Sequence, residues 1–177
     1  MESELNPIRN IMRLQKAKYL MASPGILLVI ISFIINLSYN GNFSKFIALA
    51  GFIYYFLVMF CFRFSRIYDS SQNSNSYYAP ITGRVEKIIS QEKIIIIKKT
   101  IFDPVEVRSS TSGEIDDQFS LTGFHKIFEH ETEIAQRLAG FLAGNGTCYC
   151  QIPENFTINI TPGEKIHAGI TVLASKK

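Results

Sequence analysis

No charged side chain occurs between Lys18 and Lys45, and none between Lys45 and Arg63, so two charge-free stretches stand almost end to end in the first third of the chain. A chain of 177 residues has no core large enough to bury two such neighbours, which excludes an ordinary soluble fold for that third. A membrane-crossing helix needs about 20 apolar residues, with a lower limit near 17. Both stretches qualify, the second, Phe46 to Phe62, at the short end. A cleaved secretory signal is excluded as well, because a second apolar segment follows at once where a small-residue cleavage site would stand. Cysteine is scarce, which suits a reducing compartment. Cys148 and Cys150 place both thiols on one face of a strand, where they read as small buried hydrophobes, since zinc would require two further ligands. The net charge of +3 is modest and concentrated beside the apolar third, so it gives no argument for nucleic acid, and none is expected as a partner.

The basic residues set an expected orientation. Arg9, Arg13, Lys16 and Lys18 precede the first apolar stretch, Arg63 and Arg66 follow the second, and only Lys45 lies near the connecting turn. By the positive-inside rule both ends of the hairpin are cytoplasmic, so a multi-pass protein of the inner cell membrane is expected. Residues 1–18 read as a basic leader, amphipathic or disordered, and 19–62 as two transmembrane helices with Pro24 in the first turn. Tyr54 and Tyr55 fall mid-span and are expected to face the other helix. Residues 63–77, polar from Asp69 to Ser76, form a linker, and 78–177 a cytoplasmic domain held close to the membrane surface.

That domain reads as mostly β. Val85–Ile89 and Lys93–Lys98 are β-branched runs separated by Ser90-Gln91-Glu92, and Ile94 to Ile97 suggest a strand buried on both faces. Residues 104–108, 147–152, 156–160 and 170–173 supply further strands. Phe124, Ile127, Phe128, Ile134 and Leu138 recur near a period of 3.6, which predicts one short helix over 124–138. The fold class expected is a two-helix transmembrane hairpin followed by a small barrel- or sandwich-like β domain with hammerhead-type strands.

Isolated motifs offer little chemistry. His125 and Glu129 stand four apart on the predicted helix beside His130, but no second ligand cluster accompanies them, so no metal site is expected. His167 lies in a glycine turn and reads as a surface residue. Gly144-Asn145-Gly146 lacks the following Gly-Lys-Ser/Thr of a phosphate loop. Glycine punctuates the strands at Ala79-Pro80-Ile81-Thr82-Gly83, at Ser109-Ser110-Thr111-Ser112-Gly113 and at Pro162-Gly163-Glu164-Lys165-Ile166-His167-Ala168-Gly169. The last resembles a turn of biotinyl and lipoyl carrier domains, without their lysine-bearing hairpin tip. The first resembles the sugar-phosphotransferase EIIA domains, without their strand histidine.

A more extended resemblance is to phosphatidylserine decarboxylase in its short bacterial proenzyme form. Cys61-Phe62-Arg63 stands where that family has Phe-Phe-Arg, and Pro80-Ile81-Thr82-Gly83-Arg84-Val85 where it has Pro-Ala-Asp-Gly-x-Val. Phe102-Asp103-Pro104-Val105-Glu106-Val107-Arg108-Ser109-Ser110-Thr111-Ser112-Gly113 matches its Asp-Val-His-Val-Asn-Arg-x-Pro-x-Ser-Gly segment. The blocks keep their order, without internal gaps, over roughly residues 20 to 117. Gly140 to Pro153 can be laid on the family's self-cleavage segment, and Gly163 to Ala174 resembles its ending. Between Gly113 and Gly140 the chain is much shorter than the family.

The resemblance implies a chemistry and also its loss. Such enzymes cleave their own chain at a serine, aided by an aspartate and a histidine, to make a pyruvoyl group that forms a Schiff base with the substrate amine. Here the aspartate position holds Thr82, the histidine position Val105 and the serine position Gly146. Thr147, one residue on, or Ser175 under another placement, would have to serve if self-cleavage occurs. The expectation is therefore a non-catalytic binding or assembly module without a cofactor. The alternative is an active pyruvoyl-dependent decarboxylase of phosphatidylethanolamine biosynthesis. Arg63, Arg66, Arg84 and Arg108 are the candidate contacts to phospholipid headgroups; a protein partner or a second copy of the chain is the other kind of partner considered.

Overall fold

The computed structural model describes residues 5–38, 42–64, 75–128, 131–132 and 137–176. Two α-helices lead, α1 over Leu5–Ser38 and α2 over Asn42–Cys61. Both are long and apolar enough to cross a membrane: mean hydropathy reaches 2.3 within Asn10–Leu37 and 1.8 within Asn42–Cys61, and only 17% of each most apolar window is buried. That low burial sets them apart from core helices of a soluble protein. The leader expected over 1–18 is, from Leu5, the first turns of α1 itself. At a rise of 1.5 Å per residue the 34-residue helix runs about 51 Å, well beyond a hydrocarbon thickness of about 30 Å.

The helices pair along small residues. Ser44, Gly51 and Val58, spaced by seven, are the buried positions of α2, and they face Ala22, Gly25 and Ser32 of α1. The Ser32 hydroxyl donates to the Ser44 carbonyl, and Ser44 Oγ donates to Asn36 Oδ1 at 3.1 Å. Tyr54 OH reaches the Met21 carbonyl at 3.2 Å, and Tyr55 is half-buried, so both tyrosines do meet the other helix. Pro24 lies inside α1, not in its first turn. It cannot donate to the Leu20 carbonyl, and Ser23 Oγ takes over that acceptor at 2.7 Å.

The rest is mostly β, as expected, and every pairing between described strands is antiparallel. A three-stranded sheet sets β1 (Ser76–Tyr78) beside β11 (Val172–Lys176) and then β9 (Phe156–Ile158). The larger sheet runs β10 (Lys165–Ile166), β2 (Gly83–Ile89), β3 (Ile94–Lys99), β8 (Leu138–Gln151) and β4 (Glu106–Arg108), with β6 (Phe119–Ile127) also on β8. β5 (Gly113–Glu114) pairs with β7 (Glu131–Thr132). β8 is the spine: β6 covers one edge, while β3 and β4 share the other. The sheet curls into a half-barrel about Gly123 and Gly144, whose φ angles are +112° and +72°.

Three expectations need correction. The helix predicted over 124–138 is strand β6 as far as Ile127, β7 at Glu131–Thr132 and the start of β8 at Leu138; Glu129, His130 and 133–136 lie outside the described residues. The four isoleucines are not buried on both faces, because Ile95 and Ile97 enter the core while Ile94 and Ile96 are half-covered. The linker drawn over 63–77 ends in structure, since Tyr77 and Tyr78 are buried in β1; residues 65–74, Arg66 among them, lie outside the described residues.

Two apolar cores result. One fills the β domain, around Ile81, Val85, Ile95, Ile97, Leu142 and Cys148. The other lies where the hairpin meets that domain and joins Leu14, Val58 and Phe62 to Val105, Leu138 and Phe141. Asn10 Nδ2 donates to the Leu138 carbonyl at 3.0 Å across the same junction.

Candidate functional site

The loop 100–103 after β3 is built on one inward-pointing lysine. Alternation along the strand sends Ile95, Ile97 and then Lys99 inward, and Lys99 is 1% exposed. Its ammonium donates to the carbonyls of Thr100 at 3.0 Å, Asp103 at 3.1 Å and Gly144 at 3.1 Å, which uses all three of its protons. Asp103 Oδ2 accepts from Thr100 N and Oγ1, both at 2.8 Å, and Asn145 Oδ1 accepts from Ile101 N at 3.1 Å. Burial pulls the Lys99 pKa below the usual lysine value, against the opposing charge of Asp103. Lys99→Met removes the donor from the Asp103 and Gly144 carbonyls and leaves the Thr100 carbonyl with the Asp103 N–H alone, so a loss of about 2–3 kcal/mol is expected, read as a lower midpoint of thermal unfolding in detergent. A midpoint matching wild type would show that the loop is held by Asp103 and Asn145 alone.

Held in this way, the loop presents Ile101 and Phe102 outward at the end of α2. Phe102 meets Phe60 edge-on at 6.3 Å between ring centres, and Arg63 stacks its guanidinium 4.7 Å over the Phe60 ring. Arg63 also donates through Nη2 to the Phe102 carbonyl. The first candidate arginine is thus fixed in place on the surface. Arg84 is exposed on β2, in register between Lys165 of β10 and Lys98 of β3, so three cations stand abreast on adjacent strands at a spacing of about 4.8 Å. Lys98 has Glu86 at 3.6 Å. Like charges placed opposite one another cost stability, which marks this row as suited to an anionic partner.

Arg108 does not join them. It is 6% exposed in β4 with Nε 3.9 Å from Glu106 Oε1, itself 2% exposed, so a role at headgroups is replaced by a buried charge pair.

The positions that the decarboxylase chemistry would use serve the packing. Thr82 is buried, and its hydroxyl accepts from Ala168 N at 3.0 Å. Val105 is wholly buried in the junction core. A side chain at Gly146 would place its Cβ 2.6 Å from the Thr122 carbonyl oxygen and 2.9 Å from Leu142 Cδ1, so that residue of β8 must be glycine. Val105 and Gly146 share Leu142 as a neighbour, Leu142 N donating to Val105 O at 2.7 Å, whereas Thr82 is tied to Ala168. Thr147 lies within the sheet between Lys98 and Thr122, and Ser175 Oγ, on β11, accepts from Asn159 Nδ2 at 2.8 Å. No family model, curated protein or solved structure matches the chain.

The remaining candidates are structural or exposed. His125 lies on β6, with Nδ1 3.0 Å from the Gly123 carbonyl, so the helical spacing that would have paired it with Glu129 does not arise. His167 is exposed, as expected of its turn. Cys148 and Cys150 are buried on one face with their sulfurs 3.6 Å apart, and burial pushes the Cys148 thiol well up, keeping it protonated and unreactive. Sequence reasoning missed Lys99, although strict alternation after Ile95 and Ile97 places that lysine inward.

Proposed function

We propose that this protein is a membrane-anchored, non-catalytic module built like a reduced phosphatidylserine decarboxylase, which holds anionic phospholipid headgroups at the cytoplasmic face of the inner membrane. The observation that carries this reading is Arg63, locked on the surface at the end of α2 by the Phe60 ring and the Phe102 carbonyl. Arg84, with Lys98 and Lys165 beside it, extends the positive surface. A basic residue beside an anionic membrane surface is worth about 1 kcal/mol, so a small number of fixed cations suffices to enrich anionic lipid around the protein. The orientation follows from the basic residues flanking the hairpin, which put both termini in the cytoplasm.

The absence of self-processing is inferred from Thr82, Val105 and Gly146, each occupied in a packing role in which neither a base nor a nucleophile is supplied. One preparation tests both halves. The protein extracted from membranes into polymer-bounded discs should have the intact mass of a single full-length chain. Its lipid should be enriched in phosphatidylglycerol relative to the whole membrane, and Arg63→Gln with Arg84→Gln should cut that enrichment several-fold. Two fragments, one with a pyruvoyl-blocked end, would establish the active enzyme instead. Unchanged enrichment in the double variant would remove the headgroup role of these arginines.

A further inference from the structure

The angle between α1 and β6 contains a groove of about 500 Å³ that the arginines above do not reach. It is lined by the cations Arg13 and Lys16 from α1 and Lys126 from β6, and no carboxylate is among its described lining residues. The rest of its lining is apolar: Ala17 and Leu20 of the helix, Ile127 of the strand and Phe128 directly after it. Positions 13, 16, 17 and 20 follow the i, i+3, i+4, i+7 spacing of one helix face, so cations and apolar side chains lie in a single stripe about 10 Å long. The polarity is ordered along it: cations stand toward the start of α1, and Leu20, 72% exposed, stands where the uncharged part of the helix begins. Arg13 is steadied over the groove by Nη1 donating to the Phe128 carbonyl at 3.4 Å.

We propose that this groove seats one anionic phospholipid per chain, its phosphate among Arg13, Lys16 and Lys126 and its glycerol and first acyl methylenes along Ala17, Leu20, Ile127 and Phe128. The proposal rests on the reading that the hairpin crosses a bilayer, because only then does the stripe lie at headgroup depth. Charge complementarity selects the ligand: three cations with no acidic neighbour among the described lining residues suit a phosphate, and the apolar part of the lining distinguishes a lipid from free phosphate.

Native mass spectrometry of the full chain in detergent, with phosphatidylglycerol or phosphatidylcholine added, tests this. One phosphatidylglycerol should stay bound per chain where phosphatidylcholine is lost. The triple variant Arg13→Gln, Lys16→Gln, Lys126→Gln should weaken retention at least about ten-fold. Leu20→Trp, which keeps every charge and fills the groove from a position that is 72% exposed, should also expel the lipid while the midpoint of unfolding stays near wild type, and excess inorganic phosphate should not displace it. Retention equal to wild type in the triple variant, or displacement by phosphate alone, would overturn the proposal. Arg63→Gln with Arg84→Gln should leave this single lipid in place, so the groove and the wider headgroup surface can fail independently.

Discussion

Gly51→Leu should separate the two helices and destabilise the protein by about 3 kcal/mol or more. A Cβ at Gly51 would sit 2.7 Å from the Gly25 carbonyl oxygen and 3.0 Å from Leu28 Cβ; one at Gly25 would sit 2.8 Å from the Gly51 carbonyl oxygen. Each glycine therefore meets the other's backbone, which cannot turn aside as a flexible side chain can. Accommodating leucine means moving the helices apart, which also breaks the Ser32 to Ser44 hydrogen bond further along the seam. Gly51→Ala should show the same effect at about 1–2 kcal/mol, because one methyl group already violates the contact. Thermal unfolding in detergent gives the ranking, wild type above Gly51→Ala above Gly51→Leu. Equal midpoints for all three would mean that the helices do not cross at this point in solution.

The helical seam was legible in the sequence only in part. Charge-free length announces two helices, but a glycine within an apolar run announces nothing about which partner it touches. The β domain was legible in its strands: Val85 to Ile89 and Ile94 to Ile97 are strands in the structure as read, although the isoleucine run is fully buried on one face and not on both. Reading failed where a strand packs against the hairpin as well as its own sheet. Phe124 is exposed, Ile127 and Phe128 are half-buried, and Phe128 and Leu138 turn toward α1 and α2. Two layers of apolar neighbours erase the period of two and leave spacings that imitate a helix. Gly123, opposite the bend at Gly144, adds a bulge that shifts the phase again.

The candidate site shows the same division. Arg63 and Arg84 were identifiable as cations beside an apolar segment and a glycine turn. What separates them from Arg108 is burial, which depends on how β4 pairs with β8 and on Glu106 beneath the same layer. Lys126 falls within the segment that reads as a helix and belongs in the structure to strand β6. In β6 it stands across a groove from Arg13 and Lys16, residues more than a hundred positions earlier in the chain.

Phe141→Ala should uncouple the hairpin from the β domain at a cost of about 3–5 kcal/mol. Phe141 is 2% exposed and meets three other rings: Phe62 at 5.6 Å between centres, Phe128 at 5.9 Å and Phe124 at 6.1 Å. It pairs with Glu106 on one edge of β8 and with Lys126 on the other, so one ring ties α2, β4 and β6 together. The loss should be local. Hydrogen exchange in the variant should speed up around Asn10 to Ala17 and around Leu138 and Phe141, where the junction core lies. Amides of Ile95, Ile97 and Cys148 belong to the other core and should keep their protection. Ile97→Ala provides the contrast, since it opens the β core itself and should speed exchange across β2, β3 and β8 together. If Phe141→Ala instead loosened the whole β domain uniformly, the two cores would be one cooperative unit, and lipid held in the groove beside α1 would then stabilise the entire domain and not the junction alone.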